Sequence, residues 1–342
     1  MSFIKRIVLF GLLLTFSGIL FNACSGKNKA EAAEFFERGN YHFKKREYQR
    51  AIELFSEAIE KVPDFADAYN NRGLCHEEMA NPAQAIADYE KAVELDDSFS
   101  QAKLNMARAL IHSGETDKSG KLLEELQNKY KDSTAYYDYR GQWDLLKNQM
   151  DAALSDFNQA ILLGGESVEV LTNLGFAFYQ KRDLKSAKNY FEKGLKLNPN
   201  FGFALNNLSA TYGRLNQWDK ALSYSEKAIK ADPTELSFIN THTLNLLETE
   251  HLKQAAELID KSLKLAPDSP YSLRNKAILL VKSERNNEAI DILQSIEQKN
   301  PEVEFIYYYL AKASSDKASS CRYFERGKTL GDLRCEKEAE RC

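Results

Sequence analysis

An all-α solenoid of about eight to nine stacked 34-residue helix-turn-helix repeats is the fold class this sequence predicts, and three features recurring in one phase predict it. With blocks started at residues 32, 66, 100, 134, 168, 202, 236 and 270, position 20 of each block is small: Ala51, Ala85, Ser119, Ala153, Ala187, Ala221, Ala255 and Ala289. Position 8 is small as well: Gly39, Gly73, Ala107, Gly141, Gly175, Ser209, Thr243 and Ala277. Position 32 collects five of the seven prolines, Pro63, Pro199, Pro233, Pro267 and Pro301. Chance does not place proline in that way.

The chain opens on a segment of a different kind. Lys5 and Arg6 precede an apolar run from Ile7 to Phe21 that ends at Asn22, Ala23 and Cys24, which is the pattern of a secretory signal over residues 1–23. A Cys behind a small residue at the end of such a run resembles a bacterial lipoprotein signal; Phe21 departs from that pattern where Leu is usual, and Asn22 where a small residue is usual. The resemblance implies that the Cys24 thiol is diacylated and that residues 24–31 are a lipidated cysteine and polar tether. Acyl chains at about 0.8 kcal/mol per buried methylene would then hold the chain on a membrane. The alternative is an uncleaved anchor, for which an apolar run of about 15 residues is short against the roughly 20 of a spanning helix.

From residue 32 onward each block carries two amphipathic stretches. Positions 4, 7, 8 and 11 recur at helical spacing and form the buried stripe of a first helix, and positions 20, 24 and 27 do the same for a second. Small residues at 8 and 20 let the two helices approach closely, while bulkier ones such as Phe55, Tyr89, Phe157 and Phe191 at position 24 fill the space beside them. Proline at 32 ends the second helix, because it has no N–H and its ring clashes with the preceding turn. One pair cannot bury both of its faces, so stability comes from stacking on the next pair. The runs Tyr69-Asn70-Asn71-Arg72-Gly73 and Leu171-Thr172-Asn173-Leu174-Gly175, with Ala187, Phe191, Gly194 and Pro199 in one second helix, resemble the tetratricopeptide repeat family. Eight such blocks follow one another through residue 303 without insertion.

Two stretches depart from the pattern. In block 100–133, Ser119, Leu126 and Lys131 stand where Ala, Ala and Pro are usual, which predicts a shifted or looser second helix. Residues 304–330 keep Tyr307, Ala311, Ser320, Phe324 and Gly327 in register only if the inter-helix turn is about three residues shorter. They read as a degenerate repeat capping the apolar end of the stack. Residues 331–342 form a charged tail containing cysteines, solvated from Glu336 onward.

The resemblance implies that first helices line a concave face, toward which positions 2, 5, 6, 9 and 12 point. Position 6 is Asn in five blocks, Asn71, Asn105, Asn173, Asn207 and Asn275, and an amide offers both a donor and an acceptor. In similar proteins that row binds the backbone of an extended peptide, and the same is implied here; the alternative is that Asn at this position only caps or solvates its helix. Phe36, Phe43, Tyr139, Phe176, Tyr179, Phe203 and Tyr271 share the face, as anchors for apolar side chains or as packing against the next repeat. Some family members grip a C-terminal carboxylate with Lys, Asn and Arg on three successive first helices. The nearest fit here, Phe36, Asn40 and Asn71, fails at Gln101 and Asn105.

Other functions find little support. The formal charge is −4, and −6 with residues 1–23 set aside, which argues against nucleic acid as a partner. His76-Glu77-Glu78-Met79-Ala80 lacks the second His of a zinc protease, and neither a phosphate-binding Gly-rich loop nor Gly-x-Ser-x-Gly occurs. His42, His76, Trp143 and Trp218 read as packing, so no catalytic residue, metal ligand or cofactor is expected. Cys75 reads as a small buried residue. Of the cysteines near the end, Cys335 and Cys342 on one helix would lie about 10 Å apart, beyond disulfide reach. With Gly331 allowing a reversal, Cys321 with Cys335 is the better candidate pair.

The sequence therefore points to a scaffold or adaptor for other proteins or extended peptide segments. The lipoprotein resemblance places it in a bacterial cell envelope, lipid-anchored at the outer membrane and facing the periplasm or the surface, in complex assembly. Self-association is compatible with this reading. A surface-exposed adhesin or host-interaction lipoprotein is the alternative, and an enzyme with its site hidden among the repeats is a distant third.

Overall fold

A computed structural model describes residues 26–342; the expected signal segment 1–23 and Cys24 lie outside the described residues. The described residues form nineteen α-helices and no strand, and they divide into two compact units at Gln149 and Met150. Unit 1 holds α1 (26–44), α2 (Tyr48–Lys61), α3 (Ala66–Glu78), α4 (Pro82–Leu95), α5 (Ser100–His112), α6 (Thr116–Leu126) and α7 (Thr134–Leu146). Unit 2 begins with α8 (Met150–Leu162), α9 (Val168–Gln180), α10 (Leu184–Leu197), α11 (Gly202–Arg214), α12 (Trp218–Ala231) and α13 (Leu236–Glu248). It continues through α14 (Leu252–Leu265), α15 (Pro270–Lys282), α16 (Asn286–Lys299), α17 (Ile306–Ala313), α18 (Lys317–Thr329) and α19 (Leu333–Ala339). Within each unit a second helix packs between the first helix of its own repeat and that of the next, while first helices also touch one another. First helices therefore make the inner layer of an α-solenoid. Among the described residues, no helix is long and apolar enough to cross a membrane.

The recurring glycine has a specific partner. A Cβ on Gly39 would lie 2.6 Å from the Phe55 ring, one on Gly73 2.7 Å from Tyr89, and one on Gly175 2.6 Å from Phe191. Position 8 is thus the seat of the ring at position 24 of the same repeat, and the position-20 side chains, Ser119 included, are wholly buried beside it. In block 202–235, where Ser225 stands in place of the ring, polar bonding fills the site. Ser209 Oγ donates to the Ala221 carbonyl at 2.8 Å, and Asn245 Nδ2 donates to both Ser209 Oγ and Ser225 Oγ.

The turn between paired helices needs a left-handed residue. Position 15 has φ between 55° and 64° at Arg46, Ala80, Asn148, Arg182, Asn216, Glu250 and Glu284, and φ 80° at Gly114. The next N–H reaches back five residues, as in Asn81 to the His76 carbonyl at 2.8 Å and Gln217 to Tyr212 at 2.9 Å. This double bonding satisfies the carbonyls at the helix end. Gly114, Asn148 and Asn216 advertise the turn by residue type, and Arg46, Ala80, Arg182, Glu250 and Glu284 do not.

The irregular stretches differ from the sequence reading in detail. The second helix α6 stops at Leu126, whereas α2, α4 and α10 run on to Lys61, Leu95 and Leu197. In the last pair the connection 314–316 has the ordinary length; the missing residues come out of α17, which has 8 residues where the first helices from α3 to α15 have 13. The tail is not wholly solvated, since α19 packs on α18 with Cys335 and Ala339 buried. The disulfide joins Cys321 to Cys342, with Cα atoms 5.6 Å apart, and not to Cys335. Cys335 is committed elsewhere: it is fully buried against Gly327, where a Cβ would meet its Sγ.

Candidate functional site

The inner layer of unit 2 encloses a cavity of about 300 Å³. Its walls come from one stripe of four first helices, at positions 2, 5, 9 and 12: Phe176 and Tyr179 on α9, Asn206, Ala210 and Gly213 on α11, Ser237, Asn240 and Leu244 on α13, and Tyr271 and Arg274 on α15. Steps of three and four keep these side chains on one helical face. Trp218 adds to the wall from the start of α12, and Glu304 and Phe305, just before α17, close it.

That closure is held by charge and by rings. Glu304 accepts from Arg214 Nε at 2.8 Å and from the Tyr179 hydroxyl at 2.8 Å, while the Arg214 guanidinium lies 3.6 Å from the Tyr179 ring centre. Burial, and then the Glu304 charge, push the Tyr179 hydroxyl well above its ordinary pKa, so it stays a donor. Phe305 takes φ 70°, unusual for a bulky side chain, and packs edge-on against Trp218 at 5.7 Å. Behind it the Arg334 guanidinium lies 4.3 Å from the Phe305 ring centre and donates to Glu248 at 2.8 Å, which docks α19 on α13.

Arg274 stands apart from these pairs. Its side chain lines the cavity yet is only 3% exposed, and its Nε and Nη2 donate to Asn275 Oδ1 at 3.2 and 3.0 Å. Nη1 reaches only the Glu304 carbonyl, at 3.4 Å. No carboxylate of the described residues forms an ion pair with it. Burial pulls this guanidinium below its ordinary pKa, with Glu304 opposing. Nearby, Asn206 is 7% exposed and its buried Oδ1 has no hydrogen-bond partner.

Three sequence-predicted residues meet in this cavity, Phe176, Tyr179 and Tyr271. Phe203 remains half exposed, edge-on against Phe238 at 5.1 Å, and stands outside the lining. The asparagine row does not act as one surface. Asn275 is 1% exposed and bonds its own chain, donating to the Asn240 carbonyl at 2.9 Å, so it is closed to a peptide. In unit 1, Asn105 donates to Asn70, Asn70 to Asn71 and Asn71 to Asn40, at 2.8 to 3.0 Å, an amide chain that ties three first helices together. Asn105 is buried in that chain and is likewise closed to a peptide. Asn173 and Asn207 are half-buried and outside the cavity lining. Phe36 packs on Phe65 at 4.9 Å, Phe43 on Tyr48 at 5.7 Å, and the Tyr139 hydroxyl accepts from Arg108.

The sequence reading missed Asn206, Asn240 and Arg274, all at position 5. The signal was available, since position 5 shares the concave stripe and carries polar or charged residues in six blocks, Asn70, Asp138, Thr172, Asn206, Asn240 and Arg274. The histidines do not meet. His42 contacts Glu47 at 2.5 Å, and His76 lies 3.8 Å from Asp88. Glu77 is spent on Arg108 and the Tyr89 hydroxyl. Among the described residues, no group of three His, Cys, Asp or Glu could hold a metal ion.

Comparison with known proteins agrees with the helix pairing. Residues 36–97, 77–142, 168–201 and 190–223 each match a family model described as tetratricopeptide repeat. Hsp70-Hsp90 organizing protein 3 of Arabidopsis thaliana is 31% identical over 108 residues, 29% of this chain and 19% of that protein. Protein unc-45 homolog B of Mus musculus is 33% identical over 96 residues, 27% of this chain and 10% of that protein. The chain thus spans a fifth or less of the length of these two curated relatives. Among solved structures, the APC/C hetero-tetramer Cut9-Hcn1 covers 91% of this chain and 76% of its own, with a TM-score of 0.60 and 12% identity. At that identity the likeness is one of fold.

Proposed function

We propose that this chain of tetratricopeptide repeats is a membrane-anchored adaptor, which binds extended segments of partner proteins in the inner groove of unit 2 and gathers them for assembly in a bacterial cell envelope. Tetratricopeptide repeats mediate protein–protein interaction, and the observation that carries the reading is the cavity of about 300 Å³ on the inner helices. Its lining suits a peptide: Phe176 and Tyr271 offer flat apolar surface, while Ser237, Asn240 and Thr241 offer hydrogen bonds between them. Tyr271, 48% exposed, is the accessible anchor. The anchoring half of the proposal rests on the run ending at Ala23-Cys24, with Cys24 as the acylated residue and the outer membrane as the site. The name of one relative, an Hsp70-Hsp90 organizing protein, is that of a protein that organises others, and an adaptor role here is in keeping with it.

Two measurements test the two halves. Full-length protein captured from native membranes is compared with the Phe176→Ala, Tyr271→Ala double variant by mass spectrometry. Partners lost from the variant support the groove; equal capture by both refutes it. For the anchor, growth with a labelled fatty acid predicts a labelled protein that Cys24→Ala abolishes, and label unchanged in that variant rejects Cys24.

A further inference from the structure

We propose that the unit 2 cavity is the seat of an acidic side chain: it takes an extended partner segment bearing an Asp or Glu whose carboxylate docks on Arg274, while a main-chain N–H elsewhere in that segment donates to Asn206 Oδ1. The inference rests on the groove reading and names the chemistry of its ligand.

Three observations converge on it. Arg274 is a charge taken out of water with no carboxylate in ion-pair contact, its five N–H donors served only by an amide oxygen and a distant carbonyl and its face turned to the Tyr271 ring at 5.5 Å. Burying a cation in this way is unfavourable unless an anion joins it, and the side where one can join is the open cavity it lines. Second, Asn206 presents a buried acceptor with no donor, lining the same cavity. A carboxylate and a peptide N–H are complementary to these two defects. Third, the groove already shows the type of acid it accepts. Glu304, a side chain within a continuous stretch of chain, is held by Arg214 and Tyr179 on the neighbouring inner helices. Arg214 is ion-paired by that contact, whereas Arg274, in the same lining, feels Glu304 only at longer range and has no carboxylate of its own.

The test uses the full chain in detergent micelles and three libraries of labelled nine-residue peptides, read by fluorescence anisotropy. Two are acetylated and amidated with a fixed central Glu or Gln; the third has a central Ala and a free C-terminal carboxylate. The Glu library is expected to bind at least tenfold more tightly than the Gln library. Arg274→Gln should erase that preference, and Arg274→Lys, which keeps the charge, should retain most of it. If Arg274→Gln does not fold, the tenfold preference of the unaltered chain and its decline with added salt carry the test. Equal binding of Glu and Gln, with both weakened by Phe176→Ala, Tyr271→Ala, overturns the acid seat and leaves the groove standing. Binding untouched by that double variant removes the groove and this inference with it. Equal or tighter binding of the free-carboxylate library also overturns the proposal, assigning Arg274 to chain ends.

Discussion

Gly175 and Gly194 are helical glycines of one repeat, and replacing each by Ala is predicted to act in opposite directions. Ala in a helix interior gains about 0.5–1 kcal/mol over Gly, because the unfolded chain has less freedom to lose. At Gly194 the nearest atoms to a new Cβ are Val168 Cγ2 and the Val168 carbonyl, both at 3.5 Å, which is ordinary contact. Gly194→Ala should therefore keep the gain. At Gly175 the Cβ would lie 2.6 Å from Phe191 Cε1 and 2.7 Å from Cδ1, well inside the 3.4 Å where ordinary contact begins. Phe191 is fully buried, so the ring can yield only by displacing its own neighbours. Overpacking of this kind costs about 1–3 kcal/mol, and subtracting the helix gain leaves a net loss of up to about 2.5 kcal/mol, centred near about 1 kcal/mol. Because repeat arrays need not unfold in one step, the assay is native-state hydrogen exchange of α9 and α10 amides beside a urea titration. Gly175→Ala together with Phe191→Leu should recover part of the loss, through a coupling of about 1 kcal/mol. Gly175→Ala stabilising as much as Gly194→Ala would refute the ring-on-glycine account.

Four further predictions concern the cysteines and histidines. The Cys321–Cys342 disulfide closes a sequence separation of 21 and should contribute about 3 kcal/mol; the Cys321→Ser, Cys342→Ser variant should lose exchange protection in α18 and α19 first, and an unchanged pattern there would count against α19 as a docked element. Burial pushes the Cys75 thiol up to about 12 and raises that of Cys335 too, so iodoacetamide should leave both unlabelled in native protein at pH 8 and label both in urea. Linkage gives Cys75 a stabilising effect that is whole below about pH 8.5, its unfolded value, and is lost as pH rises toward 12, and alkaline urea midpoints measure it. Burial depresses His242, against the Glu226 charge, and also His76, so both take up a proton less readily in the fold than in the unfolded chain, where they charge below about pH 6.5. Their stabilising effect is present above that pH and falls as acid is added; His242→Gln should flatten the decline between pH 7 and 5.

The solenoid is legible in the sequence because each repeat solves the same packing problem with the same residue types. Ala at position 20 and Gly at position 8 are buried or ring-covered wherever they recur, so their phase gives the helix pairs away. The left-handed turn at position 15 is hidden in most repeats, since Arg46, Ala80, Arg182, Glu250 and Glu284 carry the same backbone geometry as Gly114 and two helix ends impose it on them. The site is half legible. Phe176, Tyr179 and Tyr271 follow from the stripe, but Asn105 and Asn275 turn inward because neighbouring first helices lie close enough for their amides to bond. The return of Glu304 to Tyr179 spans 125 residues, and no local pattern encodes it. The cysteine pairing depends likewise on α19 lying back on α18, which places Cys335 against Gly327 and leaves the final residue to reach Cys321.

The central claim is that partners enter the inner groove of unit 2. A photo-crosslinking residue placed at Tyr271, in the groove, and separately at Leu265, exposed at the end of the second helix α14, tests it in intact cells. Crosslinked partners from position 271 with none from 265 are the predicted result. Crosslinks from position 265 with none from 271 would contradict the claim and move binding to the outer helices.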